Sequence, residues 1–135
     1  MPDYNFSITV PADTSKDNPI ETELQLTRGV VTGGQIYFPY GCNNMVHLII
    51  CDANGQLYPA NKQDTFNGNG VAIPLIGRYV LDSEPYRLIA KAWSPGTFYN
   101  HTLTLTLNVL TEEEIYWYKT LRDFTETFKI LIGVT

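Results

Sequence analysis

The chain has 135 residues and carries nine Lys plus Arg against fourteen Asp plus Glu, which gives a net charge of −5. Its apolar content of 44% and aromatic content of 13% exclude a disordered or collagen-like chain, and the length predicts one domain with one core. The cations are scattered singly, so we expect neither nucleic acid nor an anionic membrane as a partner. No apolar run approaches the roughly 20 residues of a membrane helix, and we expect no secretory signal at the start.

Alternation of apolar and polar residues predicts strands through the first half of the chain. Residues 4–10 alternate with period two, and a second alternation begins at Ile20 after the polar loop 11–19. We expect the pair Gly33-Gly34 to separate this second segment from a short strand at 35–38. The run 45–52 is apolar on both sides, which predicts an inner strand. Asn54-Gly55 then predicts a tight hairpin into residues 56–58, because both types accept positive φ.

The second half continues in the same way after a polar loop at 61–70. Strands are predicted at residues 71–75, 86–93 and 101–109. About eight strands with a turn every 8–12 residues predict an all-β fold, an antiparallel sandwich of the jelly-roll or immunoglobulin-like kind. We divide the chain into an N-terminal strand and loop (1–19), the sandwich domain (20–110) and a C-terminal helix (111–135).

The C-terminal helix is predicted from a capping box, Thr111-Glu112-Glu113-Glu114, and from the absence of Gly and Pro before Gly133. A helix of about 20 residues would be roughly 30 Å long. Large apolar residues recur along it at coiled-coil spacing and form what we call the terminal apolar face: Trp117, Leu121, Phe124, Phe128 and Leu131. This face either packs on its own sandwich or docks on a partner. Because an eight-stranded sandwich closes its own core, we predict a subunit contact.

A second subunit contact is predicted at the N-terminus. The loop 11–19 separates the first strand from the sandwich, so this strand could act as an arm that adds to the sheet edge of a neighbour. Its apolar side chains Tyr4, Phe6 and Ile8 would then enter the neighbouring copy. We therefore expect a homo-oligomer or an assembly with other proteins.

Nothing in the sequence predicts catalysis, a cofactor or a metal. His47 and His101 have no ligands at matching spacing, and the serine, phosphate-loop and His-Glu-x-x-His motifs of enzymes are missing. Cys42 and Cys51 flank a predicted strand that would hold them roughly 20 Å apart, beyond the ~7 Å limit for a disulfide. We expect both cysteines to be buried, no catalytic residue, no pocket with converging polar groups and no small-molecule ligand.

Surface aromatics allow one alternative function. Several of them fall at predicted strand ends and turns, where a carbohydrate-binding or adhesin module would place platforms that stack on sugar rings. The candidates are Tyr37, Tyr40, Tyr58, Trp93 and Tyr99. We prefer the interpretation that these residues lie at the edge of the core or in contacts between subunits.

Four stretches carry a resemblance to a known group of proteins. These are residues 26–31 (Leu-Thr-Arg-Gly-Val-Val), 38–42 (Phe-Pro-Tyr-Gly-Cys), 86–93 and 101–105. Together they resemble small β-sandwich proteins encoded among the structural genes of tailed phages. The resemblance implies a virion component without catalytic residues, such as a capsid decoration protein or a minor head or tail protein. Such a protein is made in the host cytoplasm and contacts itself or other virion proteins.

Overall fold

The computed structural model describes residues 3–111, which form eight strands. The all-β prediction is therefore confirmed, whereas the predicted helix at 112–131 and its terminal apolar face lie outside the described residues. The strands are β1 (Asp3–Val10), β2 (Ile20–Gln25), β3 (Gly29–Phe38), β4 (His47–Asp52), β5 (Gly55–Tyr58), β6 (Val71–Leu81), β7 (Arg87–Trp93) and β8 (His101–Thr111).

The strands form two four-stranded antiparallel sheets. Sheet A has the order β1-β8-β3-β6 and sheet B the order β2-β7-β4-β5. The first strand pairs with the last, the second with the seventh, the third with the sixth and the fourth with the fifth. This nested pairing is the jelly-roll arrangement, one long antiparallel hairpin folded over on itself. It follows that the four loops leading from odd-numbered to even-numbered strands lie at the same end of the sandwich.

The core lies between the sheets and follows the predicted alternation. Along β8, every second residue from His101 to Val109 is buried, and the intervening Thr and Asn side chains face outward. Sheet A also contributes Ile36 and Phe38, and sheet B contributes Leu48 and Ile50, all with no exposed surface. Burying one such side chain stabilises a fold by about 1.5–3 kcal/mol. Both cysteines, Cys42 and Cys51, are free and buried, as predicted.

The prediction that Gly33-Gly34 interrupts the chain between two strands is wrong. Strand β3 runs continuously through the pair, with a bulge between Val31 and Gly33. Gly34 has a φ of +154°, and a Cβ there would lie 1.8 Å from the carbonyl oxygen of Thr106. The glycine is needed because β3 and β8 approach closely at this point.

Strand β6 is also longer than predicted, since it continues to Leu81 instead of ending at residue 75. It passes through Pro74, which lacks the amide hydrogen of other residues. Proline is tolerated in edge strands, and among the eight described strands β6 pairs only with β3.

Candidate functional site

The four loops at one end of the sandwich form a connected surface that we call the loop end: residues 11–19, 39–46, 59–70 and 94–100. The side chain of Asn69 joins two of them, because its Oδ1 accepts hydrogen bonds from the backbone N–H groups of Gly41 at 2.8 Å and Asn43 at 3.3 Å. Asn43 and Asn44 have φ values of 50° and 60°, a conformation that Asn tolerates better than most residues. The sequence Gly-Cys-Asn-Asn therefore makes the tight reversal that follows β3.

The other two loops of the loop end are clamped together around Ser94, which is fully buried. The Ser94 hydroxyl donates to the carbonyl oxygen of Pro11 at 2.8 Å and accepts from the N–H of Thr14 at 3.3 Å. The Ser94 N–H donates to the carbonyl oxygen of Thr14 at 2.9 Å. Beside it, the Thr97 hydroxyl accepts from the N–H of Asp13 at 2.9 Å. The loop that follows β1 is thus held by direct hydrogen bonds to the loop that precedes β8.

This clamp bears on the predicted N-terminal arm. Strand β1 pairs with β8 along its whole length, and Ile8, opposite Leu103, is only 1% exposed. Tyr4 and Phe6 are half-buried against the same core. All three side chains therefore serve the core of their own chain, and a neighbour could receive them only through exchange of the entire strand. The exchange stays a prediction.

Trp93 lies in a stack of three side chains at the loop end. Its ring is 5.8 Å from that of His47 at an interplanar angle of 19°, and the Lys16 Nζ is 5.9 Å from its centroid. His47 Nδ1 also forms a 2.8 Å hydrogen bond with the Thr65 hydroxyl. Burial, and then the charge of Lys16, lower the pKa of His47. Within residues 3–111 no group of three or more His, Cys, Asp or Glu side chains is positioned to hold a metal ion.

Four large side chains of the loop end are exposed and form the loop-end patch: Tyr40, Met45, Phe98 and Tyr99. Tyr40 is 80% and Phe98 is 93% exposed. The Tyr40 ring lies directly on Gly70, where a Cβ would be 2.5 Å from it. The Tyr99 ring lies 5.1 Å from that of His101. The patch joins two loops, 39–46 and 94–100, and sequence reasoning missed Met45 because it was assigned to a buried strand.

The five predicted stacking residues divide into two groups. Tyr37, Tyr40 and Tyr99 are exposed, as a sugar-stacking platform requires. The prediction is wrong for Tyr58 and Trp93, each only 6% exposed. Trp93 is covered by its neighbours in the stack. Tyr58 packs into the core beside Gly77, its hydroxyl has no hydrogen-bond partner among residues 3–111, and burial raises its pKa.

A cleft of about 260 Å³ lies at the opposite end of the sandwich, between the β4–β5 turn and the β6–β7 loop. The expectation of no pocket with converging polar groups is therefore wrong. Burial raises the pKa of the Tyr79 hydroxyl. A hydrogen bond with Asp52 and the negative charge of that residue raise it further. Burial also raises the pKa of the Cys51 thiol. A nucleophile needs the opposite shift, so these two groups stay protonated and weakly reactive. The other polar lining residues include Asp82, Glu84 and Arg87.

The outer faces of the two sheets differ in charge. On sheet B, Glu23 pairs with Arg87 at 3.0 Å and Glu21 with Lys91 at 3.5 Å. On sheet A, the charged residues at outward positions of the four described strands are Asp3 and the exposed Arg78. The others are Thr, Ser, Asn, Gln, Gly or apolar residues. Sheet A therefore has fewer solvated charges than sheet B.

Comparison of the chain with models of protein families, with curated proteins and with solved structures found no match. A search of residues 3–111 for a helix long and apolar enough to cross a membrane found none. Function must therefore be argued from the surfaces of this chain.

Proposed function

We propose that this chain is a non-enzymatic structural assembly subunit that acts through protein–protein contacts. The observation that carries the proposal is the loop-end patch. An aromatic side chain buries about 150–250 Å² when it enters an interface, and exposed apolar patches of this kind mark interaction sites. Phe98 has no polar atom with which to bind a sugar hydroxyl, and it is the most exposed member of the patch. Contact with a protein surface makes better use of such a side chain.

We further propose that the assembly is a virion and that the chain is a capsid decoration protein or a minor head or tail protein. Two observations support this assignment. The chain resembles small phage structural proteins at the four stretches described above, and the jelly-roll topology is one that viral capsid domains use. The same topology occurs in lectins, so the fold is compatible with other functions and the surfaces must decide.

The experiment that tests self-assembly is the mass in solution, measured by light scattering over a range of concentrations. We expect the mass of the wild type to rise with concentration. Phe98→Asp places a charge in the centre of the patch and should keep the protein monomeric. Ala53→Asp is the matched control, since Ala53 is exposed in the turn at the opposite end of the sandwich. A wild type that stays monomeric at every concentration would contradict assembly from copies of this chain.

The second candidate function is a carbohydrate-binding or adhesin module. The observation that favours it is the exposure of Tyr37, Tyr40 and Tyr99 at or beside the loop end. Such a module would bind a glycan through the ring faces, so Tyr99→Ala should abolish binding and Tyr99→Phe should largely retain it. An assembly subunit should show no glycan binding in a glycan-array screen of the wild type.

A further inference from the structure

An apolar strip runs along the outer face of sheet A on its edge strand β6. Four outward positions of this strand are apolar, namely Ala72, Pro74, Ile76 and Val80, and the exposed Arg78 lies between the last two. Ile76 is 85% and Val80 is 57% exposed. A row of neighbouring side chains extends the strip at one end, because Val30 of β3 lies opposite both Val80 and Leu110 of β8.

The strip serves no purpose in the described sandwich. The core lies on the other side of sheet A, where the inward residues of β6, including Leu75 and Leu81, are already buried. A β-branched aliphatic side chain as exposed as Ile76, on an edge strand, also invites aggregation unless another element covers it. A covering element is therefore expected.

The point at which the chain leaves sheet A identifies a covering element. Thr111 lies opposite Gly29, one residue beyond Leu110, so the chain continues from the end of the sheet at which the strip begins. Adjacent strands lie about 4.8 Å apart, so β6 is only roughly 10 Å from β8. Three or four residues can cover that distance.

The remaining 24 residues of the chain suit the strip in length and in charge. From Trp117 to Leu131 a helix would extend about 21 Å, and from Val80 to Ala72 a strand extends about 26 Å. The segment begins with Glu112-Glu113-Glu114, and the cationic Arg78 lies in the bulge beside Val80. A helix running back along β6 would therefore place acidic residues near this arginine.

We propose that residues 112–131 fold back over sheet A of their own chain and pack the terminal apolar face on the apolar strip. The own chain is a better occupant than a second copy, because covalent attachment gives the segment an effective concentration in the millimolar range. The terminal apolar face is then buried within the chain, although its spacing favours a subunit contact. This inference does not depend on the proposed function, because the loop-end patch remains available for assembly.

Tryptophan fluorescence tests the proposal, since Trp93 and Trp117 are the two tryptophans of the chain. In a Trp93→Phe background, the emission of Trp117 should be blue-shifted and protected from acrylamide. Ile76→Asp in the strip should shift the emission to the red and increase the quenching. Ser7→Asp, on the same outer face but on β1, is the control and should leave both unchanged. The proposal would be overturned if Trp117 emission were solvent-like in the Trp93→Phe protein. It would also be overturned if Ile76→Asp left that emission unaltered.

A crosslink keeps the proposal testable if the Trp93→Phe variant does not fold. It also distinguishes coverage of the strip by the same chain from coverage by a second copy. The pair Ile76→Cys and Phe124→Cys should form a disulfide within one chain on mild oxidation, so that a non-reducing gel shows a monomer of altered mobility. Phe124→Cys alone should not. Crosslinked dimers would show that a second copy covers the strip, and absence of any crosslink would show that the segment does not reach it. Either result overturns the proposal.

Discussion

Replacement of Gly34 by alanine should be one of the most damaging single changes to this fold. Gly34 lies in the middle of sheet A, where β3 pairs with β8 on one side and β6 on the other. An alanine Cβ would lie 1.8 Å from the carbonyl oxygen of Thr106, a backbone atom that cannot rotate away. The two strands must separate until this distance reaches the 3.4 Å at which ordinary contact begins.

The magnitude follows from what that separation disrupts. We estimate that the ladder loses about two backbone hydrogen bonds, each contributing about 1 kcal/mol net. The positive φ, which residues other than glycine avoid, adds about 1–3 kcal/mol of conformational strain. Gly34→Ala should therefore lower the free energy of unfolding by roughly 3–5 kcal/mol, out of the 5–15 kcal/mol that is usual for a whole domain. Repacking of the inward side chain of Leu107 would add to it.

The matched control is Gly55→Ala in the β4–β5 turn. Gly55 also has a positive φ, +132°, but a Cβ there would meet no atom of the described residues within 4 Å. Its loss should be about 1–3 kcal/mol, from conformational strain alone. The free energy of unfolding of both variants can be measured by urea titration followed by circular dichroism. We expect the midpoint of the transition to shift while its slope m stays unchanged. Equal losses for the two would refute the argument that a steric contact with β8 is what requires glycine at position 34.

Three further predictions concern the loop end and the buried titratable groups. Ser94→Ala should lower the free energy of unfolding by about 1–3 kcal/mol, because the clamp loses both side-chain hydrogen bonds; an unchanged urea midpoint would count against the clamp. Since the pKa of His47 is lowered below its ordinary 6.5 on folding, the unfolded chain binds more protons under mildly acidic conditions. Stability should therefore fall as the pH drops below about 6.5, and His47→Asn should reduce that fall in a series of urea titrations; an identical pH profile would contradict this cause. Cys42 and Cys51 should react with a thiol reagent only on unfolding, and rapid modification of the native protein would disprove their burial.

Much of the fold follows from local patterns in the sequence. Period-two alternation correctly located β1, β2 and β8, because each of them faces the core on one side and solvent on the other. The hairpin after Asp52 was located correctly, since Asp52 pairs with Gly55, but only Gly55 has the positive φ that was predicted for both Asn54 and Gly55. These features depend on interactions between residues close in sequence.

What sequence reasoning missed depends on neighbours distant in sequence. Gly33-Gly34 resembles a turn until β8 is beside it, because only the approach of Thr106 shows why a strand needs glycine there. The burial of Trp93 depends on His47 of strand β4 and on Lys16 of the loop 11–19, both distant in sequence. The polar cleft likewise joins Asp52 to Tyr79 from strands that the sequence does not place together. Such contacts are set by the topology, and alternation along one strand carries no information about them.

The low content of charged residues, 17% of the chain, has an uneven distribution in the structure. Sheet B keeps its cross-strand ion pairs, whereas the outer face of sheet A and the loop-end patch are nearly devoid of charge. Two separate surfaces, the apolar strip and the loop-end patch, are therefore expected to be buried in contacts. Their positions indicate a different contact partner for each. The apolar strip adjoins the point where the chain continues past Thr111, so the same chain can reach it. The loop-end patch lies at the other end of β8, about 33 Å from Thr111 by strand length, so a neighbouring molecule is the better candidate there. If both assignments hold, Phe98→Asp should change the mass in solution and leave the environment of Trp117 unaltered, while Ile76→Asp should do the reverse.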